Sequence, residues 1–183
     1  WLASRAAHNG LCLTHLNHPK RLGTFLWSGG HSVPAWRQPE PDAFSAEWFV
    51  PAGTICRKIV ELKDSEGWQV VDDFLPNDKD FDGEFTVRWQ FAPGTNLERI
   101  EDRRFRIERE GFMMIVEASE DWETVLAAGR PDDEASADVE HRHAGLVSPS
   151  FRVTKPAPFL LLTAQAGYKP CVFSTTFLAS APR

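Results

Sequence analysis

An alternating run at residues 84–91 constrains the fold of this chain more than any other feature. Its apolar members are Phe85, Val87, Trp89 and Phe91, and every position between them is polar. Such period-two alternation is typical of a β-strand with one packed and one polar face, because successive side chains point to opposite sides of a sheet. Similar runs recur along the chain between turns rich in Gly, Pro and Asp, and helical periodicity is nearly absent.

These runs predict an all-β fold, a large antiparallel β-sandwich of roughly a dozen strands, with a barrel as the alternative. The predicted strands are residues 11–16, 22–27, 43–50, 54–62, 68–74, 84–91, 96–100, 104–108, 112–118, 139–147, 151–156, 159–164 and 171–179. Residues 34–41, with three prolines, are expected to form a loop or an irregular edge, and residues 148–150 a turn. Residues 121–128 fit a short helix or a strand, and the acidic stretch 129–138 fits an exposed loop. Without a linker or a repeat of fixed period, residues 1–183 are expected to form a single β-sandwich domain.

Composition narrows the classes of function. The 183 residues carry a formal net charge of -6, which argues against general nucleic-acid binding because that function needs a basic surface. A local cluster of Arg and His would still allow an acidic polysaccharide to bind. No apolar run is long enough to span a membrane, and no signal-peptide pattern is present. Because the sequence begins with Trp1, we expect a fragment or processed product, so the missing signal says nothing about export.

Cysteines and clustered charges favour structural roles. Cys12, Cys56 and Cys171 are widely spaced among apolar or β-branched neighbours, without a CxxC metal motif. This pattern favours buried free thiols, and one disulfide remains open. Residues 98–110 interleave five arginines with five acidic residues, which predicts a solvated hairpin with cross-strand ion pairs rather than an anion site.

The polar turn at residues 4–10 precedes the first predicted strand and holds the first candidate site. His8 is a candidate metal ligand, because neutral imidazole binds zinc well, and Asn9 could fix the turn or bond a sugar hydroxyl. The alternative is a surface turn in which both side chains cap the backbone. The other spaced histidines fit exposed turn and strand positions better than a metal site; they are His15, His18, His141 and His143.

Seven tryptophans are many for a chain of this length. Aromatic faces stack on sugar rings, and they also fill sandwich cores. Trp68 and Trp89 lie in predicted strands and are expected in the core. Trp27 and Trp36 lie near Gly and Pro breaks, so they are the better candidates for a carbohydrate-facing surface, with the core as the alternative.

Short motifs along the chain resemble, in order and spacing, the C-terminal β-domain of heparinase II/III-like polysaccharide lyases. They are Ser4 with Ala-Ala-His-Asn at 6–9, Arg-Lys-Ile-Val at 57–60 followed by Trp-Gln-Val-Val-Asp at 68–72, Val-Arg-Trp-Gln-Phe-Ala-Pro-Gly at 87–94, and Gly-Leu-Val-Ser-Pro-Ser-Phe at 145–151 followed by Ala-Pro at 157–158. The chain departs from the family pattern at Ala3, Gly10 and Phe85, where Arg, Thr and His are more usual. These departures bear on the substrate more than on the fold.

The resemblance implies a piece of a longer carbon–oxygen lyase that cleaves uronate-containing polysaccharide, such as heparin, heparan sulfate or alginate, by β-elimination. It implies an α/α toroid upstream in the same chain that carries most catalytic residues, so these 183 residues alone would be inactive. It further implies a structural zinc ion with His8 as one ligand, and a periplasmic or secreted location, with a cytoplasmic one left open. The candidate substrate-binding residues are Asn9, Arg5 and Trp27. The alternative is a non-catalytic β-sandwich module that binds carbohydrate or a protein partner.

Overall fold

A computed structural model describes residues 9–13, 34–77, 81–128, 146–150, 153–166 and 170–180. Fourteen strands occupy these ranges, and no helix occurs in them. The strands are β1 Leu11–Leu13, β2 Ala35–Glu40, β3 Ala43–Val50, β4 Gly53–Leu62, β5 Gly67–Pro76, β6 Gly83–Gln90, β7 Asn96–Glu101, β8 Arg104–Arg109, β9 Phe112–Ala118, β10 Glu123–Ala128, β11 Leu146–Ser150, β12 Val153–Pro156, β13 Pro158–Ala166 and β14 Cys171–Ser180. The described residues therefore contain no helix that could cross a membrane.

Two antiparallel sheets of unequal size form the sandwich. The large sheet has eight strands in the order β2-β3-β4-β5-β14-β9-β8-β7, and the small sheet has four in the order β1-β6-β13-β10. A separate ribbon pairs β11 with β12. Neighbouring strands in the large sheet are consecutive in sequence except where β14 inserts between β5 and β9, so the C-terminal strand joins its two halves.

The core lies between the two sheets. Phe85 on the small sheet is fully buried, and its ring contacts Phe74 and Phe173 of the large sheet at centroid distances of 4.8 and 5.6 Å. Trp122, which precedes β10, is 1% exposed and packs against Phe173 at 4.6 Å. Burial of large aromatic side chains is the main favourable term in such a core, at about 1.5–3 kcal/mol for each.

The large sheet extends beyond the cover that the small sheet provides. Side chains directly opposite each other in a ladder share a face, so the register places Trp36, Phe44, Ile59 and Trp68 on the same face as the buried Ile55 and Phe74. These four are exposed by 75, 52, 39 and 49%. We call them the apolar shelf. It is an uncovered part of the inner face, formed by the strands from β2 to β5.

Most predicted strands are confirmed, one open alternative is decided and one predicted turn is wrong. Residues 34–41 contain the edge strand β2, whose register shifts between Arg37 and Glu40, as expected for an irregular edge. Residues 121–128 contain a strand, β10, rather than a helix. The turn predicted at residues 148–150 is wrong, because these residues belong to β11 and Ser150 pairs with Val153. The predicted strand 22–27, the loop 129–138 and residues 139–145 of the predicted strand 139–147 lie outside the described residues.

The tryptophan and cysteine predictions have mixed outcomes. Trp89 is 8% exposed and lies in the core as predicted. The core prediction for Trp68 is wrong: its side chain is in phase with buried neighbours, but it lies past the edge of the small sheet. All three cysteines are thiols rather than disulfides, as favoured, although each is only half-buried. The charged hairpin is confirmed, with exposed cross-strand pairs such as Arg106–Glu98 and Arg104–Glu117.

Candidate functional site

Asn9 connects the two sheets just before the first strand. Its backbone carbonyl accepts a hydrogen bond from Nη1 of Arg57 on the large sheet, at 2.6 Å. Its side-chain Oδ1 accepts one from the backbone N–H of Gln90 on the small sheet, at 2.8 Å. These bonds connect residues 48 and 81 positions apart in sequence, so Asn9 holds the start of β1 in a defined place.

A bidentate ion pair lies beneath Asn9. Arg57 donates from Nε and Nη2 to the two carboxylate oxygens of Asp72, at 2.6 and 2.7 Å. The Asp72 side chain is only 3% exposed and that of Arg57 13%, so the pair is shielded from water. The guanidinium carbon also lies 5.3 Å from the centre of the Trp89 ring, within the range of a cation–π interaction. Such a fork-to-fork pair fixes the arginine in one orientation.

Trp89 and Gln90 complete this group from the end of β6. The indole N–H of Trp89 donates to the buried hydroxyl of Thr175 at 3.3 Å, and its ring meets Phe177 edge-on at 4.9 Å. The Gln90 Nε2 donates to the backbone carbonyl of Pro158 at 2.9 Å. We call Asn9, Arg57, Asp72, Trp89 and Gln90 the Asn9 cluster. Every member forms a hydrogen bond with another residue of the sandwich.

A groove of about 350 Å³ opens beside the Asn9 cluster. Apolar and aromatic side chains form most of its wall, and the polar lining is limited to Asn9, Gln90, Thr95 and Arg109. Among the described residues that line it, Arg109 is the only charged one. Ligand sites commonly have this composition, with apolar walls and a few polar groups that orient the ligand.

The sequence motifs and the geometry agree at this cluster. Three motif segments, 57–60, 68–72 and 87–94, supply Arg57, Asp72, Trp89 and Gln90, and the structure brings all four around Asn9. Asn9, a predicted substrate-binding residue, lines the groove. The other predicted site residues lie outside the described residues; they are His8, Arg5 and Trp27. The same is true of the remaining histidines considered as metal ligands, which are His15, His18, His141 and His143. Trp36, the second proposed carbohydrate-facing tryptophan, is 75% exposed on the shelf.

Sequence reasoning missed the groove residues of the β8–β9 hairpin. Arg109 was assigned to a solvated hairpin and Phe112 to the following strand, yet they pair directly and both line the groove. The available signal was the spacing along the strand. Arg109 follows the buried Phe105 and Ile107 at intervals of two residues, so all three side chains project from the inner face.

The described residues near Asn9 do not supply a second zinc ligand. The two oxygens of Asn9 already accept hydrogen bonds, and the Asp72 carboxylate pairs with Arg57. The arginine also places a positive charge next to Asn9. Within the described ranges, no group of three or more His, Cys, Asp or Glu side chains could hold a metal ion.

The thiols are not poised as nucleophiles. Burial, followed by the nearby Asp121 carboxylate, raises the pKa of Cys171 to about 11. Burial also raises the pKa of Cys56, with Asp73 as the next contributor. The thiolate is the reactive form of cysteine, so both side chains are largely inert at neutral pH.

A comparison with protein families gives a match to the family described as Heparinase II/III-like, C-terminal, over residues 1–168. The chain belongs to this family. The match covers the Asn9 cluster and all strands up to β13, so the resemblance carried by the short motifs is confirmed. A search of curated proteins found no match.

Solved structures share the fold of this family member. This chain is similar to the heparan sulfate lyase HepC from Pedobacter heparinus, with 13% sequence identity and a TM-score of 0.63 over 96% of this chain and 24% of HepC. A heparinase III gene product is similar at 16% identity and a TM-score of 0.62, again over 96% of this chain and 24% of the other. The chain thus spans about a quarter of the length of these solved relatives.

Proposed function

We propose that this chain is the C-terminal β-sandwich domain of a polysaccharide lyase that cleaves a uronate-containing acidic polysaccharide by β-elimination. The observation that carries the proposal is the family match over residues 1–168. The heparan sulfate lyase among the structural neighbours supports this substrate class. Heparin-like, heparan sulfate-like and alginate-like polymers all have the required uronate.

The chemistry divides the work between this chain and the rest of the enzyme. The proton beside a uronate carboxylate is weakly acidic, so the enzyme must neutralise the carboxylate, remove the proton and protonate the leaving oxygen. In our proposal, the groups that transfer protons belong to an upstream α/α toroid. The residues of this chain form one wall of the cleft, where Asn9 is a substrate contact held in place by Arg57 and Gln90.

The apolar shelf supports a partner for this domain. Exposed apolar patches on a folded domain commonly mark interaction surfaces. Asn9 is bonded to Arg57, which neighbours Ile59 on the same face of β4, so Asn9 itself lies beside the shelf. We therefore assign the shelf as the contact surface for the upstream domain of the same chain.

The lyase proposal is tested with the product of the full-length gene. The protein is incubated separately with heparan sulfate, heparin and alginate, and unsaturated uronide is followed by ultraviolet absorbance. We expect product from at least one polymer. A full-length protein without an upstream toroid, and without product from any of the three, would instead favour the alternative of a non-catalytic binding module, for which the exposed shelf is the supporting observation.

His8 is proposed as one ligand of a structural zinc ion whose other ligands come from elsewhere in the full-length protein. The support is the His-Asn motif at the start of the family match and the fixed position of Asn9. We predict that His8→Ala lowers the zinc content of the purified full-length protein, measured by metal analysis, while the far-ultraviolet circular dichroism stays unchanged. An unchanged zinc content would remove His8 from the ligand set.

A further inference from the structure

The groove beside Asn9 has an arrangement that suits an anionic ligand. Its aromatic wall includes Phe112, which is 52% exposed, and Phe177. Arg109 lines the same wall and is directly opposite Phe112 in the β8–β9 ladder. No carboxylate is found among the described lining residues, so none of them competes with a bound anion for the Arg109 cation.

Hydrogen-bonding groups remain available at the groove. Both oxygens of Asn9 are engaged, but its Nδ2 has no partner among the described residues. Gln90 uses its Nε2 to hold backbone carbonyls, which leaves its Oε1 as an acceptor within the described part of the chain. Donor, acceptor and cation together match the hydroxyl and acid groups of a sugar acid.

The only described partner of Arg109 is weak. Its Nη2 lies 3.2 Å from Oε1 of Glu110, whose side chain is 81% exposed at the tip of the hairpin. Exposed pairs of this kind contribute about 0–1 kcal/mol, so a bound anion can replace Glu110 at little cost. Arg106 on the same strand differs, because it projects from the outer face and pairs with both Glu98 and Glu108.

We propose that this groove is a binding subsite for a single anionic sugar residue, with Arg109 pairing with its acid group and Phe112 packing against its ring. The inference deepens the lyase proposal and rests on it for the identity of the sugar, a uronate within the polysaccharide. A volume of about 350 Å³ lies at the lower end of the range for small-molecule sites. The acid group is a carboxylate or a sulfate, and the two are separated by experiment.

The test measures binding rather than catalysis. Tetrasaccharides of heparan sulfate, of alginate and of neutral cellulose are titrated into the purified protein by calorimetry, with wild type, Arg109→Gln and Arg106→Gln compared. We expect an acidic tetrasaccharide to bind the wild type, and Arg109→Gln to raise its Kd about tenfold or more, as for loss of a hydrogen bond to a charged group. Arg106→Gln serves as the matched control and should leave Kd unchanged, since its side chain is similarly exposed, 38% against 42%, on the opposite face.

Each outcome decides the inference. Binding of the alginate tetrasaccharide assigns the acid group as a carboxylate, and binding of the heparan sulfate tetrasaccharide that is lost when its sulfates are removed assigns it as a sulfate. Arg109→Lys should recover part of the affinity, because the positive charge is retained. Equal binding of all three sugars, equal effects of the two glutamine variants, or no binding by the wild type would overturn the subsite. Lyase activity of the full-length protein is measured separately, so an active enzyme with unchanged Arg109→Gln affinity refutes only the subsite.

Discussion

At the scale of single residues, the ion pair between Arg57 and Asp72 is the most constrained interaction in the Asn9 cluster. It fixes the guanidinium so that Nη1 remains for the carbonyl of Asn9. Buried ion pairs gain little over apolar residues in net stability, but loss of one partner is costly because the other charge stays buried. The role of this pair is therefore positional: it sets where Asn9 and the start of β1 lie.

We predict that Asp72→Asn lowers the free energy of unfolding by about 3–5 kcal/mol, because it leaves the buried Arg57 charge uncompensated. Urea unfolding followed by tryptophan fluorescence measures the change. Glu98→Gln breaks the exposed pair with Arg106 and is the control, with an expected loss of about 0–1 kcal/mol. Equal losses in the two variants would contradict the positional role of the buried pair.

At the scale of elements, close packing of strand backbones depends on Gly67 at the start of β5. A Cβ placed there would lie 2.2 Å from the backbone carbonyl oxygen of Phe177 and 3.2 Å from Cα of Leu178, both on β14. Neither contact can be relieved by a side-chain rotation. Gly10 differs, because a Cβ at that position meets nothing within 4 Å.

We therefore expect Gly67→Ala to separate β5 from β14 locally and to destabilise the chain by about 1–3 kcal/mol or more, the usual range for overpacking. Gly10→Ala should change the stability by less than about 0.5 kcal/mol, as is common for open surface positions. Thermal unfolding of both variants measures the difference. A well-folded Gly67→Ala variant with wild-type stability would show that the two strands do not approach this closely.

The strands were predictable from the sequence, and their partners were not. Alternation at residues 84–91 gave β6 nearly to the residue, because it depends only on neighbours along the chain. The insertion of β14 between β5 and β9 has no local signal. The same limit applies to the site: the motif residues were recognisable, but their meeting at Asn9 depends on contacts 48 and 81 residues apart. The core prediction for Trp68 was wrong for a related reason, because the burial of its side chain depends on which distant strands cover it.

At the scale of the whole molecule, the apolar shelf is the surface on which contact with another domain can be tested. Four large apolar side chains on one uncovered face are consistent with a surface that another domain buries. Phe49 and Leu75 are exposed by 64 and 57% and lie opposite Thr54, which places them on the outer face of the same sheet. They provide a matched comparison of similar size and exposure.

We predict that Trp68→Gln lowers the thermal midpoint of the full-length protein and leaves that of the 183-residue chain nearly unchanged. Burial of a large apolar side chain at a domain interface contributes about 1.5–3 kcal/mol, and this contribution exists only when the other domain is present. Leu75→Gln, on the outer face, should change neither protein. Equal shifts for Trp68→Gln in the long and short proteins would show that the shelf does not contact another domain.

The central claim is that this chain shapes the cleft of a uronate-polysaccharide lyase while the proton-transferring groups lie upstream. The most direct measurement compares release of unsaturated uronide, by ultraviolet absorbance, from the full-length protein and from the 183-residue chain on the same polymers. We predict product from the full-length protein with heparan sulfate, heparin or alginate, and none from the chain alone. Product from the chain alone, or none from the full-length protein with all three polymers, would contradict the claim.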